Sequence, residues 1–99
     1  MWEYRNADVV LNAFQSLTTD ETNSVLVRFL RFMVDVKDTH PCKVDRKNLT
    51  RMKFHDGNGD RFVLVLPKGW VVPFRVVPDC SADEGFVEFI DAQRLETGT

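Results

Sequence analysis

Residues 49–77 constrain this chain more than any other stretch. Two apolar runs flank His55-Asp56-Gly57-Asn58-Gly59-Asp60, and a third follows Leu66-Pro67-Lys68-Gly69. In Leu49–His55, Met52 and Phe54 alternate with Arg51, Lys53 and His55, the pattern of a half-buried strand with one basic face. Asn58-Gly59 tolerates the positive φ angles of a tight turn, and Pro67 is pre-set for an early turn position. Phe62–Leu66 is apolar on both faces and reads as a central strand. Trp70–Val77 places Trp70, Val72, Phe74 and Val76 on one face. Pro73 lacks an N–H for a ladder, which predicts an edge strand or a bulge there. The three runs together predict an antiparallel β-meander.

A sheet with one apolar face needs a cover, and the residues before it supply helices. Trp2 and Tyr4 alternate in a short extended lead-in. Asn6 reads as an N-cap, Asp8 suits the first turn, and Val9, Val10, Ala13, Phe14 and Leu17 recur at helical spacing over Asn6–Leu17. Thr18-Thr19-Asp20-Glu21 matches a capping box. Behind it, Ser24, Arg28, Arg31 and Asp35 fall at steps of four, three and four, one stripe of a helix and incoherent on a strand. The rest of that helix is apolar from Val25 to Val36. So wide an arc predicts a central helix touching sheet and first helix, or a helix with one side against a second copy of the chain. Lys37–Asn48 reads as a loop. After Pro78, Ser81-Ala82-Asp83-Glu84 matches a second capping box. Phe86, Phe89, Ile90 and Gln93 follow on one helical face, so a C-terminal helix is expected, with a fourth strand over Gly85–Asp91 as the alternative.

Ninety-nine residues make one domain, 1–99, and bury about 60–68% of the unfolded surface. With 43% hydrophobic residues and 28% charged, disorder is excluded as the default. Eight Phe residues predict an aromatic core, with one or two rings left for an interface. The net charge of −2 conceals a basic middle (Lys43, Arg46, Lys47, Arg51, Lys53) and an acidic end (Asp79, Asp83, Glu84, Glu88, Asp91, Glu96). Cys42 and Cys80 are too few for a disulfide framework and read as small buried hydrophobes. Val25–Val36 is too short and too charged for a membrane span. A cytoplasmic setting is the expectation, with no membrane contact.

Candidate sites are each weighed against a plainer reading. Asp56, Asn58 and Asp60 match the first three ligands of a calcium loop. Arg61 and Pro67 then stand where Gly and a bidentate Glu are needed, so a simple turn is preferred. His40, Cys42, His55 and Cys80 are a zinc set in composition but not in spacing. Cys80 beside His40 or His55, oriented by Asp79 or Asp56, is a nucleophile arrangement on paper with no oxyanion loop to serve it. No metal, cofactor or catalytic residue is therefore assigned. The reading that follows is α+β: two N-terminal helices packed on a three-stranded antiparallel meander, with a C-terminal helix. The function expected of it is that of a protein-binding module of inhibitor, immunity or adaptor type, its partner another protein or a second copy in a homodimer. Asp83, Glu84, Glu88 and Asp91 are the residues expected to meet a basic partner. The alternative is a nucleic-acid accessory protein using Lys43, Arg46, Lys47, Arg51 and Lys53; a small hydrolase-like enzyme comes third.

Overall fold

The computed structural model describes residues 2–38, 40–42, 49–51 and 59–95. Strand β1 (Trp2–Arg5) leads into helix α1 (Ala7–Ala13), extended by a 3-10 turn over Phe14–Ser16. A second helical rod follows in three parts: α2 (Thr19–Glu21), a π-helical turn (Thr22–Leu26) and α3 (Val27–Asp38). Then come β2 (Leu49–Arg51), β3 (Asp60–Val65), β4 (Trp70–Val77), β5 (Gly85–Phe89) and the short β6 (Gln93–Arg94). The α+β class and the two N-terminal helices are as the spacing predicts.

The rod begins where Thr18 predicts. Its hydroxyl accepts from Glu21 N at 3.2 Å, and the Glu21 carboxylate accepts from Thr18 N at 3.3 Å, satisfying two donors that a helix start leaves open. Thr22 and Ser24 hydroxyls then bond back to the Thr18 and Asp20 carbonyls, side-chain competition that accompanies the widened turn. Asn6 has a different role from the expected cap. Its side chain caps nothing; it supplies the left-handed backbone (φ 63°) that turns β1 into α1.

The strand order is β1-β5-β4-β3-β2, with β1 parallel to β5 and the other neighbours antiparallel, so the sheet is mixed. The helices connect one edge strand, β1, to the other, β2. The meander returns through β3 and β4, and β5 fills the place between β4 and β1. Inward residues alternate along each strand: Trp2; Phe62 and Leu64; Trp70, Val72, Phe74 and Val76; Val87 and Phe89 are all buried. Phe29 meets Phe89 edge to face at 5.1 Å and Phe32 lies 5.3 Å from Phe74, while Phe14 bridges Phe29 and Trp70. The aromatic core is thus where helices and sheet meet.

Three expectations are corrected. Strand β4 is the middle of the sheet rather than an edge, despite Pro73. The carbonyl of Pro73 accepts from Ile90 N at 2.9 Å, so its nitrogen faces the same side, just beyond the end of β5. Ladder pairing on that flank resumes only at β6, opposite Trp70 and Val71. The missing N–H costs one bond, the reciprocal one to the Ile90 carbonyl, and it falls at the end of the β5 ladder rather than within it.

The C-terminal segment is strand, not helix. Ser81, the supposed cap, instead donates its N–H (2.9 Å) and hydroxyl (2.6 Å) to Asp79 Oδ1, a local turn that competes with helix nucleation. At Gly85 any Cβ would collide with the carbonyl of Val77, so glycine is there for close approach to β4. Gly59 has a similar reason: its φ is +100°, and a Cβ would lie 2.5 Å from Val76 O.

Third, the cysteines are joined, Cys42 to Cys80, across a sequence separation of 38. The expected loop from Lys37 also begins later, since α3 runs through Asp38.

Candidate interaction surfaces

The disulfide sits at a corner where the 40–42 turn meets the β4–β5 connection. His40 Nδ1 accepts from Cys42 N at 3.2 Å, which leaves the ring proton on Nε2 to donate to Ala82 O at 2.9 Å. The same ring packs edge-on against Trp2, centroids 4.9 Å apart. Asp60 Oδ2 accepts from Cys80 N at 2.8 Å. His40, Cys42, Cys80 and Asp60 therefore converge, and every group has a structural duty. With the sulfurs bonded to each other, neither is a thiolate that could attack a substrate or ligate zinc. Among the described residues no group of three or more His, Cys, Asp or Glu is placed to hold a metal ion. His55, Asp56 and Asn58, the remaining zinc and calcium candidates, lie outside the described residues.

Surface chemistry is more distinctive. On the second helical rod Val25, Phe29, Phe32 and Val36 are buried, at steps of four, three and four. The polar residues Ser24, Arg28, Arg31 and Asp35 lie about a quarter turn to one side, at the helical 3.6 residues per turn. Half a turn from the buried stripe, facing away from the sheet, stand Val27, Leu30 and Val34, exposed by 55%, 43% and 60%. The helix is not enclosed on its wide apolar arc: its outermost line is aliphatic. Arg28, Arg31, Phe32 and Asp35 border a hollow of about 330 Å³ on the polar flank. Leu11, on α1 in the same layer, is exposed as well.

The second surface is the face of the sheet turned away from the helices. Register fixes its rows. Arg5, Glu88, Arg75 and Arg61 are neighbours across four strands, and Arg75 Nη2 meets Glu88 Oε1 at 2.7 Å. The Arg5 guanidinium lies 3.7 Å above the Phe86 ring, a cation–π contact that half-covers the one phenylalanine on this face among the described residues. Beside this row, Val63, Val65, Val71, Pro73 and Ile90 form an aliphatic patch, of which Val65 and Ile90 are exposed. At the rim, Glu3, Glu84, Gly85 and Phe86 border a shallow hollow of about 390 Å³.

The acidic residues proposed for partner contact do not act as one face. Asp83 and Glu84 are exposed on the β4–β5 connection. Glu88 is engaged by Arg75, and Asp91 accepts from Ala92 N and Gln93 Nε2, both at 2.8 Å. Asp79 is held below the usual carboxylate range, chiefly by the Ser81 hydroxyl and then its backbone N–H. Glu21 is lowered too, first by the Thr18 backbone N–H and then, among the lowering causes, by the Thr18 hydroxyl and Arg94, whose Nη1 lies 3.4 Å away. The Trp70 indole N–H is directed at the same carboxylate without reaching full hydrogen-bond geometry. Of the basic set, Arg51 pairs with Phe62 in the β2–β3 register, while Lys43, Arg46, Lys47 and Lys53 lie outside the described residues. The outer line Val27, Leu30 and Val34 was hidden by its valines. Its signal was the spacing of the buried stripe, which leaves those three positions opposite it.

No family model, curated protein or solved structure matches this chain.

Proposed function

We propose that this chain is a small protein-binding module, of inhibitor, immunity or adaptor type, that works through surface contacts rather than catalysis. One observation carries the reading: five of the eight large aliphatic side chains exposed among the described residues fall into two groups. Val27, Leu30 and Val34 line one ridge, and Val65 and Ile90 belong to one patch. Scattered surface aliphatics need no explanation, whereas ordered ones on rigid elements mark contact sites. Asp83 and Glu84, with Glu3 near them, give the rim an acidic edge suited to a basic partner. The Cys42–Cys80 bond favours a setting that keeps thiols oxidised over the cytoplasmic one expected from cysteine number.

The test is affinity purification from the native host with wild type, Leu30→Asp and Val65→Asp/Ile90→Asp as baits. A protein retained by wild type and lost from one variant supports the reading. Recovery identical to a tag-only control from all three refutes it. Nucleic-acid binding is the second reading, favoured by three arginines to one glutamate along the central row of the open sheet face. Filter binding at rising salt tests it, and an affinity that does not fall with salt removes it.

A further inference from the structure

We propose that β6 is a detachable strap over a strand-docking seat on β4, and that the seat takes an extended segment of a partner protein. That segment carries an arginine or lysine opposite Trp70 and an aliphatic residue opposite Val71. The proposal rests on the binding reading and gives the partner's chemistry at one place on it.

The seat is built for a backbone. Arg94 and Gln93 pair antiparallel with Trp70 and Val71, and Leu95 N donates to Gly69 O at 2.8 Å. Gly69 makes the close approach possible, since a Cβ there would lie 2.9 Å from the Leu95 carbonyl oxygen. These contacts use main chain alone, so they accept other strands of the same direction.

The strap is held lightly. Gln93, Arg94 and Leu95 are all exposed, so it adds no side chain to the core; Ala92, just before it, is the nearest buried anchor. The ion pair from Arg94 Nη1 to Glu21 Oε2 spans 3.4 Å with the arginine 57% exposed, an arrangement that contributes little. Under the strap, Glu21 Oε2 is out of solvent without a hydrogen bond among the described residues, and so is the Trp70 indole nitrogen directed at that carboxylate. A buried acceptor without a donor is costly, and a basic side chain set more squarely than Arg94 supplies one.

The outward position is improvable too. Gln93 lies opposite Val71, whose partner on the other flank is Val65, an exposed member of the aliphatic patch. Glutamine does not continue that row, whereas a valine or isoleucine in a partner's strand does. The partner's segment therefore repeats the backbone bonds of the strap and improves on both of its side chains.

Hydrogen exchange and peptide binding on the full chain test this. The Leu95 amide should exchange at least about tenfold faster than the Leu66 amide, which donates to Trp70 O at 2.8 Å from the opposite flank of β4. The binding probe is a fluorescein-labelled peptide of residues 90–95 carrying Gln93→Val. The strap competes at a millimolar effective concentration, so the peptide should bind wild type weakly and Arg94→Glu protein about tenfold more tightly, with an unchanged far-UV spectrum. A peptide that also carries Arg94→Glu should bind neither protein. In Glu21→Gln, which keeps the capping box, the preference for the arginine should disappear. Equal protection of Leu95 and Leu66 overturns the detachable strap. No binding to Arg94→Glu protein at millimolar peptide, or binding indifferent to the arginine of the peptide, overturns the seat. Each of these results defeats the proposal, while a partner captured by wild type and lost from Leu30→Asp still supports the binding reading.

Discussion

Replacing Cys42 and Cys80 by Ser should destabilise the domain by about 4 kcal/mol, and the number follows from the chain itself. The bond closes a loop with a sequence separation of 38. Cross-linking a loop of that length removes about 13 cal/mol/K from the unfolded ensemble, or about 4 kcal/mol at 25 °C. The folded corner keeps its other ties in the variant, because Asp60 accepts from the backbone at 80 and His40 bonds to the backbone at 42 and 82. The cost should therefore fall mainly on the unfolded side of the equilibrium. Urea unfolding of wild type with and without reductant, beside the Cys42→Ser/Cys80→Ser variant, measures it. Reduced wild type and variant should coincide. Both should melt about 20 °C below the oxidised protein, and both should show a larger m value because their unfolded chains expose more surface. A thiol assay on unreduced, denatured protein should find none. Two titratable thiols there, or a loss under about 1 kcal/mol with an unchanged m value, would refute the reasoning.

Thr18→Ala removes one half of the capping box and should cost about 1 kcal/mol by urea denaturation, with Thr18→Ser close to wild type. Phe29→Ala opens the junction of Phe14, Phe29 and Phe89 and should cost about 3–5 kcal/mol; a loss below about 1 kcal/mol would mean the rings do not pack as described. Glu21 and Asp79 both have lowered pKa values in the fold. Their stabilisation is complete above the unfolded values of about 4.3 and 3.9, and is lost as pH falls through the lower folded values. Urea midpoints followed from pH 6 to pH 2.5 should fall across that acid window, less steeply in Glu21→Gln and Asp79→Asn. Equal slopes in wild type and both variants would assign the acid loss to other groups.

Features legible in the sequence were those decided by local physics. The Thr18–Glu21 box sits where its four residues predict, and the second helix declared itself through Ser24, Arg28, Arg31 and Asp35. The turn after β3, over Pro67–Gly69, divides the meander at the expected place. What could not be read depends on which strands become neighbours. Pro73 argues for an edge only if both flanks of β4 are continuously paired, and the gap between β5 and β6 is invisible along the chain. Segment 81–89 carries both a capping pattern, at Ser81–Glu84, and an alternation of Val87 and Phe89; only a vacant place between β1 and β4 decides between them. The Cys42–Cys80 pairing likewise follows from a corner that exists once β4 and β5 have turned. Among the acidic residues expected to meet a partner, Asp83 and Glu84 are exposed, but nothing local reveals that Glu88 will lie opposite Arg75.

The parallel pairing of Trp2 with Gly85 sets an order of events during synthesis. Strand β1 leaves the ribosome 83 residues ahead of the strand it must pair with, since the register joins position 2 to position 85. At about 5–20 residues per second, that interval is about 4–17 s. Through it Trp2 and Tyr4 have no strand beside them, and the β2–β3–β4 meander has one flank of its middle strand open. Both vacancies are filled by the same five residues, the last long strand to appear. The sheet therefore closes in one late step, and a nascent chain halted before Gly85 presents two unsatisfied strand edges to whatever holds it.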